Sequence, residues 1–159
     1  MNAERSNLIL YPTSYGAQHS DIDWLIGPGR ILDPKRYCIL IPNQLGNGLS
    51  SSPSNFPDPF TNGRAPTFFH LDNVAAQDRL LREVLGVERI TLIYGWSMGG
   101  QQALHWGALH PDRVERICAT CTSATRQHRN SRTVSVQSGR GLRRTDHLKT
   151  WMLQSFSHL

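Results

Sequence analysis

Apolar residues along this chain come as short continuous runs and as longer stretches with helical spacing, separated by segments rich in Gly, Pro, Ser and Asn. Residues 7–11 and 37–41 are apolar runs too short for a helix, each stopped by a proline, and they predict strands buried on both faces of a sheet. Between them, Ser20-Asp21-Ile22-Asp23 has capping-box spacing ahead of Trp24-Leu25-Ile26 and a Gly27-Pro28-Gly29 stop, which predicts a short packing helix. Residues 43–66 form a long polar loop, of a length that is usually functional or mobile. Asp72 is placed to cap a helix in which Val74, Leu81, Val84 and Leu85 share a face and which Gly86 ends. A strand over residues 90–94, a helix over 98–109 closed by His110-Pro111, and a fourth strand over 116–121 complete the pattern, with no internal repeat.

Strands alternating with helices through short turns imply a parallel sheet. Ligands of such sheets bind outside the carboxyl edge, where the strand order reverses. The transition from the third strand to its helix, Gly95-Trp96-Ser97-Met98-Gly99, fits G-x-S-x-G, the sharp turn that lifts a serine above that edge. A turn this tight brings strand and helix backbones so close that a Cβ at either glycine would collide. Ser97 is therefore the candidate nucleophile, and the Met98 N–H, at the positive end of the new helix, a candidate oxyanion donor. The alternative is an ordinary turn in which Ser97 only caps a helix. If the third strand pairs with the first, the loop of residues 11–16 lands beside Ser97. Pro12 has no N–H, so Thr13 is the candidate second oxyanion donor, with Ser14 next.

The pieces Trp24-Leu25-Ile26-Gly27-Pro28-Gly29, Ile41-Pro42-Asn43, Leu49-Ser50-Ser51-Ser52-Pro53-Ser54, Gly95-Trp96-Ser97-Met98-Gly99-Gly100-Gln101-Gln102-Ala103 and His110-Pro111-Asp112-Arg113-Val114 resemble, in order, the homoserine O-acetyltransferase family of α/β-hydrolase-fold enzymes. The resemblance runs over about residues 7–125 and identifies the chain as the nucleophile-bearing half of such a domain, with 126–159 as a basic tail. It implies an acyl-serine cycle on Ser97, with acetyl-coenzyme A as acyl-donor substrate, a hydroxyl compound as acceptor and no tightly bound cofactor. Where that family has a His-Ala-Leu-Thr-Gly type of loop, this chain has Tyr11-Pro12-Thr13-Ser14-Tyr15-Gly16, which resembles a side branch for which esterase or thioesterase activity is open.

An α/β-hydrolase places its acid and its histidine after later strands, and only one strand is predicted beyond Ser97. His105 and His110 lie too far down the helix to reach the serine; His70 and His128 are better placed, at the carboxyl edge. His128, which falls near a histidine of the tyrosine-type relatives, is the candidate base or substrate contact. Without a base the chain is expected to be nearly inert, a fragment or binding subunit whose open sheet edge a second copy or partner would cover.

Charge changes the picture only at the tail. The chain of 159 residues carries +5 overall, but seven of its 17 Lys/Arg and one of its 12 Asp/Glu fall from Arg126 onward, leaving net −1 on residues 1–125. The tail has no nucleic-acid motif and reads as a solvated extension, with an amphipathic helix an option from Thr145 onward. No apolar run reaches the roughly 18 residues of a membrane span, and the start lacks a signal-peptide core, so a cytoplasmic protein is expected. Ser157-His158-Leu159 resembles a peroxisomal address and keeps that compartment as the alternative. Cys38, Cys118 and Cys121 are read as buried reduced thiols; Cys118-Ala119-Thr120-Cys121 ends a strand, which fits neither a redox motif nor a zinc pair.

Overall fold

The computed structural model describes residues 1–3, 5–60 and 64–123, together with the backbone of a strand at Val134–Val136. Strands β1 (Leu8–Leu10), β2 (Cys38–Leu40), β3 (Leu92–Trp96), β4 (Ile117–Thr122) and β5 (Val134–Val136) form one sheet in the order β2-β1-β3-β4-β5. The first four are parallel and β5 runs antiparallel to β4. The third strand does pair with the first, through Ile9↔Leu92 and Leu10↔Ile93. Among the described residues two strands follow Ser97 rather than the single one expected, because β5 falls inside the stretch read as a basic tail.

The β1 run is apolar throughout because both of its faces are covered. Leu8 and Leu10 enter a core with Val74, Leu81, Ile93 and Trp106, whereas Ile9 and Tyr11 enter a second one with Ile22, Leu25 and Leu32. Successive side chains of a strand point to opposite faces, so one unbroken hydrophobic run serves both layers. Helices α1 (His70–Arg79) and α2 (Met98–Leu109) supply the first layer. A 3-10 helix over His19–Leu25 supplies the second.

Three local expectations change. Asp72 acts from the third position of α1, its carboxylate accepting the Phe69 N–H at 2.7 Å, while Phe69 is the N-cap; Asp21 does the same for Gln18 at 2.8 Å. Beyond α1 the chain widens into a π-helical turn over Leu80–Val84, closed by Leu85 N–H to Leu80 O at 3.1 Å. The wider turn shifts the apolar phase, so Leu81 is buried while Val84 is 73% exposed instead of sharing its face. Cys121 is exposed rather than buried. It has φ +50 where Ala119↔Val136 and Thr122↔Val134 give β4 one residue more than β5, so the strand bulges there and turns the side chain out.

Residues 43–60 are ordered by their own polar side chains. Ser52, 1% exposed, accepts the Gly48 N–H at 2.7 Å through its hydroxyl, and Asn55 Oδ1 accepts the Ser52 N–H at 2.7 Å. The loop is tied to the one after β1 by Asn43, whose side chain meets both the backbone N–H (2.9 Å) and the ring (3.0 Å) of His19. Among the described residues no helix is long and apolar enough to cross a membrane.

Candidate active site

Between β3 and α2 the chain turns at Ser97, which has φ 53 and ψ −119, outside the regions a serine ordinarily occupies. Its N–H donates to Thr120 O of β4 at 2.9 Å, and its carbonyl accepts the Gln101 N–H at 3.1 Å as α2 begins. The glycines on either side are steric requirements. A Cβ on Gly95 would lie 2.3 Å from Gly99 O, and one on Gly99 would lie 2.2 Å from Pro12 O. The second contact presses the loop after β1 against the start of α2. Ser97 is partly exposed and Trp96 is 48% exposed, so the turn stands at the surface of the carboxyl edge.

Met98 is the first residue of α2, where backbone N–H groups have no partner within the helix. Thr13 is buried in the loop that Gly99 touches, and its N–H points to Pro42 O at 3.3 Å. Ser14 follows, its hydroxyl donating to Trp96 O at 2.5 Å. The fold thus brings Ser97, Met98, Thr13 and Ser14 to one place. The contacts of the nearby histidines are with other groups. His70 opens α1 with its ring 5.5 Å from that of His105, and His105 Nδ1 is 2.8 Å from Gln101 O. His110 packs its ring 4.9 Å from Trp106, and burial together with nearby Arg82 holds its pKa below the ordinary histidine value. His128 and Ser157-His158-Leu159 lie outside the described residues, as does the helix weighed from Thr145 onward.

Behind the loop after β1 runs a chain of buried amides that the sequence reading did not single out. Trp106 Nε1 donates to Gln77 Oε1 at 2.8 Å, Gln77 Nε2 donates to Gln102 Oε1 at 2.7 Å, and Gln102 Nε2 donates to Thr13 O at 3.3 Å. The Gln44 N–H meets Thr13 Oγ1 at 3.0 Å. Spacing held the clue, for Gly99, Gln102, Ala103 and Trp106 are buried at i, i+3, i+4 and i+7 of α2. A glutamine on that face must find partners inside, and the loop carbonyl is one of them.

Below the turn the site is apolar. Tyr11 and Tyr94 meet edge to face with ring centroids 5.2 Å apart. Burial pushes the Tyr11 hydroxyl up to about 12, and burial followed by the neighbouring Cys118 raises Tyr94. Cys118, opposite Tyr94 in the β3–β4 register, is itself raised by burial and stays a neutral thiol.

A strained serine on a strand-to-helix turn, flanked by sterically required glycines at the carboxyl edge of a mostly parallel sheet, is the architecture of an α/β hydrolase. A family model described as alpha/beta hydrolase fold matches residues 16–156, and the chain belongs to that family. The match continues past Thr125, where the motifs cease to be legible by eye.

The chain is 44% identical over 130 residues to an ethyl acetate hydrolase of Pseudomonas veronii, covering 78% of this chain and 36% of that protein. It is 36% identical over 126 residues to a homoserine O-acetyltransferase of Chlorobium chlorochromatii, covering 75% of this chain and 35% of that protein. The crystal structure of an acetylester hydrolase from Corynebacterium glutamicum matches with a TM-score of 0.77 at 39% identity, over 79% of this chain and 37% of that one. The chain spans only 36% of the length of each of the 44% and 40% identical relatives. The resemblance to the homoserine O-acetyltransferase family holds, and the same comparisons add ester hydrolases at higher identity.

Proposed function

We propose that Ser97 is an acyl-accepting nucleophile and that its donor is a small acyl ester, with water as the acceptor. The observation that carries the reading is the backbone of Ser97 at φ 53 between Gly95 and Gly99, a sparsely populated conformation of the kind that functional sites hold, on a partly exposed residue. In the reaction Ser97 Oγ attacks the ester carbonyl carbon and its proton passes to a general base. The tetrahedral oxyanion is met by the Met98 N–H, the Thr13 N–H serving as second donor only once it is released from Pro42 O, and the alcohol leaves with a proton. Water then attacks the acyl carbon, releasing the acid and restoring the serine. His128 is the candidate base from within this chain. The relatives that hydrolyse acetyl esters support a short acyl group.

A second reading keeps the acyl-serine and changes the partners, with acetyl-coenzyme A as donor and a substrate hydroxyl as acceptor. The homoserine O-acetyltransferase relatives favour it.

Reaction with a fluorophosphonate tests the shared step. Ser97 Oγ bonds to phosphorus, fluoride leaves, and the serine proton goes to solvent or base. Labelling is expected at Ser97 and absent in Ser97→Ala. A folded protein that never labels would overturn the nucleophile reading in favour of a non-catalytic binding role. Release of acid from p-nitrophenyl acetate, with no gain when hydroxyl acceptors are added, separates hydrolysis from transfer.

A further inference from the structure

The peptide unit joining Trp96 to Ser97 is tied at both of its polar groups. Its N–H donates to Thr120 O on β4 at 2.9 Å, and its carbonyl accepts the Ser14 hydroxyl at 2.5 Å. A peptide is a rigid plane, so bonds on opposite edges fix its rotation and with it the ψ of Trp96 and the φ of Ser97. That φ is +53, a value a serine keeps only where its surroundings over-determine it. The strand bond alone leaves the carbonyl edge of the plane free to tilt; the Ser14 hydroxyl closes it.

Ser14 is itself anchored from behind. The preceding carbonyl, Thr13 O, accepts Gln102 Nε2 at 3.3 Å, and Gln102 is held in turn by Gln77 at 2.7 Å. Gln102 is fully buried and cannot swing to water. In a trans peptide the N–H points opposite to the carbonyl, so drawing Thr13 O into the core aims the Ser14 N–H away from it. The loop therefore meets the turn through a fixed residue that has no core-filling role of its own, since Ser14 is only partly buried.

We propose that Ser14 is a positioning residue of this site, its hydroxyl holding the Trp96–Ser97 peptide so that Ser97 Oγ and the Met98 N–H face the same acyl group. The assignment rests on the acyl-serine reading of Ser97. It predicts that loss of the hydroxyl slows acylation without weakening the encounter with the acyl donor.

The test is fluorophosphonate labelling of the full chain at several concentrations, separating the maximal rate kinact from the half-saturating concentration KI, with thermal unfolding of each variant. Ser14→Ala is expected to lower kinact roughly two- to tenfold, the range to which the net worth of one uncharged hydrogen bond converts. KI and the melting midpoint should stay at their original values, and Ser14→Thr, which keeps the hydroxyl, should restore kinact. If Ser14→Ala folds poorly, Ser14→Cys keeps the volume, weakens the donor and carries the same comparison. A protein that does not label at Ser97 at all would remove the acyl-serine reading itself. Labelling of Ser14→Ala at the original kinact, or a loss that follows the melting midpoint and is not rescued by threonine, would overturn the positioning role alone.

Discussion

Gly99 at the start of α2 and Pro12 in the loop after β1 are in backbone contact, so close that a methyl group on Gly99 would lie 2.2 Å from the Pro12 carbonyl oxygen. This contact sets the spacing between the serine turn and the loop that carries Thr13 and Ser14. Gly99→Ala must push the two apart, at a cost of about 1–3 kcal/mol typical of overpacking. We expect a lower urea midpoint together with slower labelling of Ser97. A variant as stable and as reactive as the parent would mean that the loop yields freely and does not gauge the site.

The turn geometry separates two substitutions that remove the same hydroxyl. Ser97→Ala keeps a Cβ at φ 53, whereas Ser97→Gly relieves the strain. Relief of about 1–3 kcal/mol outweighs the roughly 0.5–1 kcal/mol that glycine's freedom in the unfolded chain costs. Ser97→Gly should therefore be the more stable of the two in equilibrium denaturation, by on the order of 1 kcal/mol, with neither labelled. Equal stability would show that the turn is not strained.

Arg113, in the turn after α2, reaches back to pair with Asp78 of α1 and donates to Val87 O at 2.6 Å and Glu88 O at 2.9 Å. The side chains of Arg113 and Asp78 are 16% and 8% exposed. Asp78→Ala leaves that guanidinium without its counter-charge and should cost about 2–4 kcal/mol. The Arg79–Glu83 pair, between the end of α1 and the π-helical turn, is 72% and 54% exposed, and Glu83→Ala should change stability by no more than about 0.5 kcal/mol. Denaturant midpoints of the two variants decide between the buried and the solvated pair.

Burial raises Tyr11 to about 12 from an ordinary value of 10.0. Between those values the unfolded chain has released the phenolic proton while the folded chain retains it, so the folded state binds more protons and stability falls as pH rises through the window. Below the unfolded value the contribution is fully present. Tyr11→Phe should lose less stability across that alkaline window than the parent does. Some loss will remain, because Tyr94 and Cys118 are shifted in the same direction. Parallel pH profiles for the two proteins would place the alkaline sensitivity elsewhere.

Much of this architecture is written in local pattern. The continuous apolar run through Ile9, the glycines at 95 and 99 and the β-branched approach to Ser97 identify the parallel sheet, the turn and its serine, because each reflects a constraint within a few residues of itself. The family match through residue 156 extends that reading into a stretch where no motif is visible. Periodicity failed where the helix geometry changed, at Val84, since a π turn moves the apolar face without altering composition.

What the chain determined by itself is the class of fold and the residue at its centre: short-range sterics and hydrophobic alternation suffice for both. Only the tertiary structure decided which groups surround that residue. Ser14 meets Trp96 across 82 positions of sequence, and Gln102 meets Thr13 across 89. A hydrogen bond closed over such a separation depends on the order of strands in the sheet and leaves no mark on local spacing. Cys121 makes the same point, turned outward by a bulge that exists only because β5 pairs with β4 one residue short.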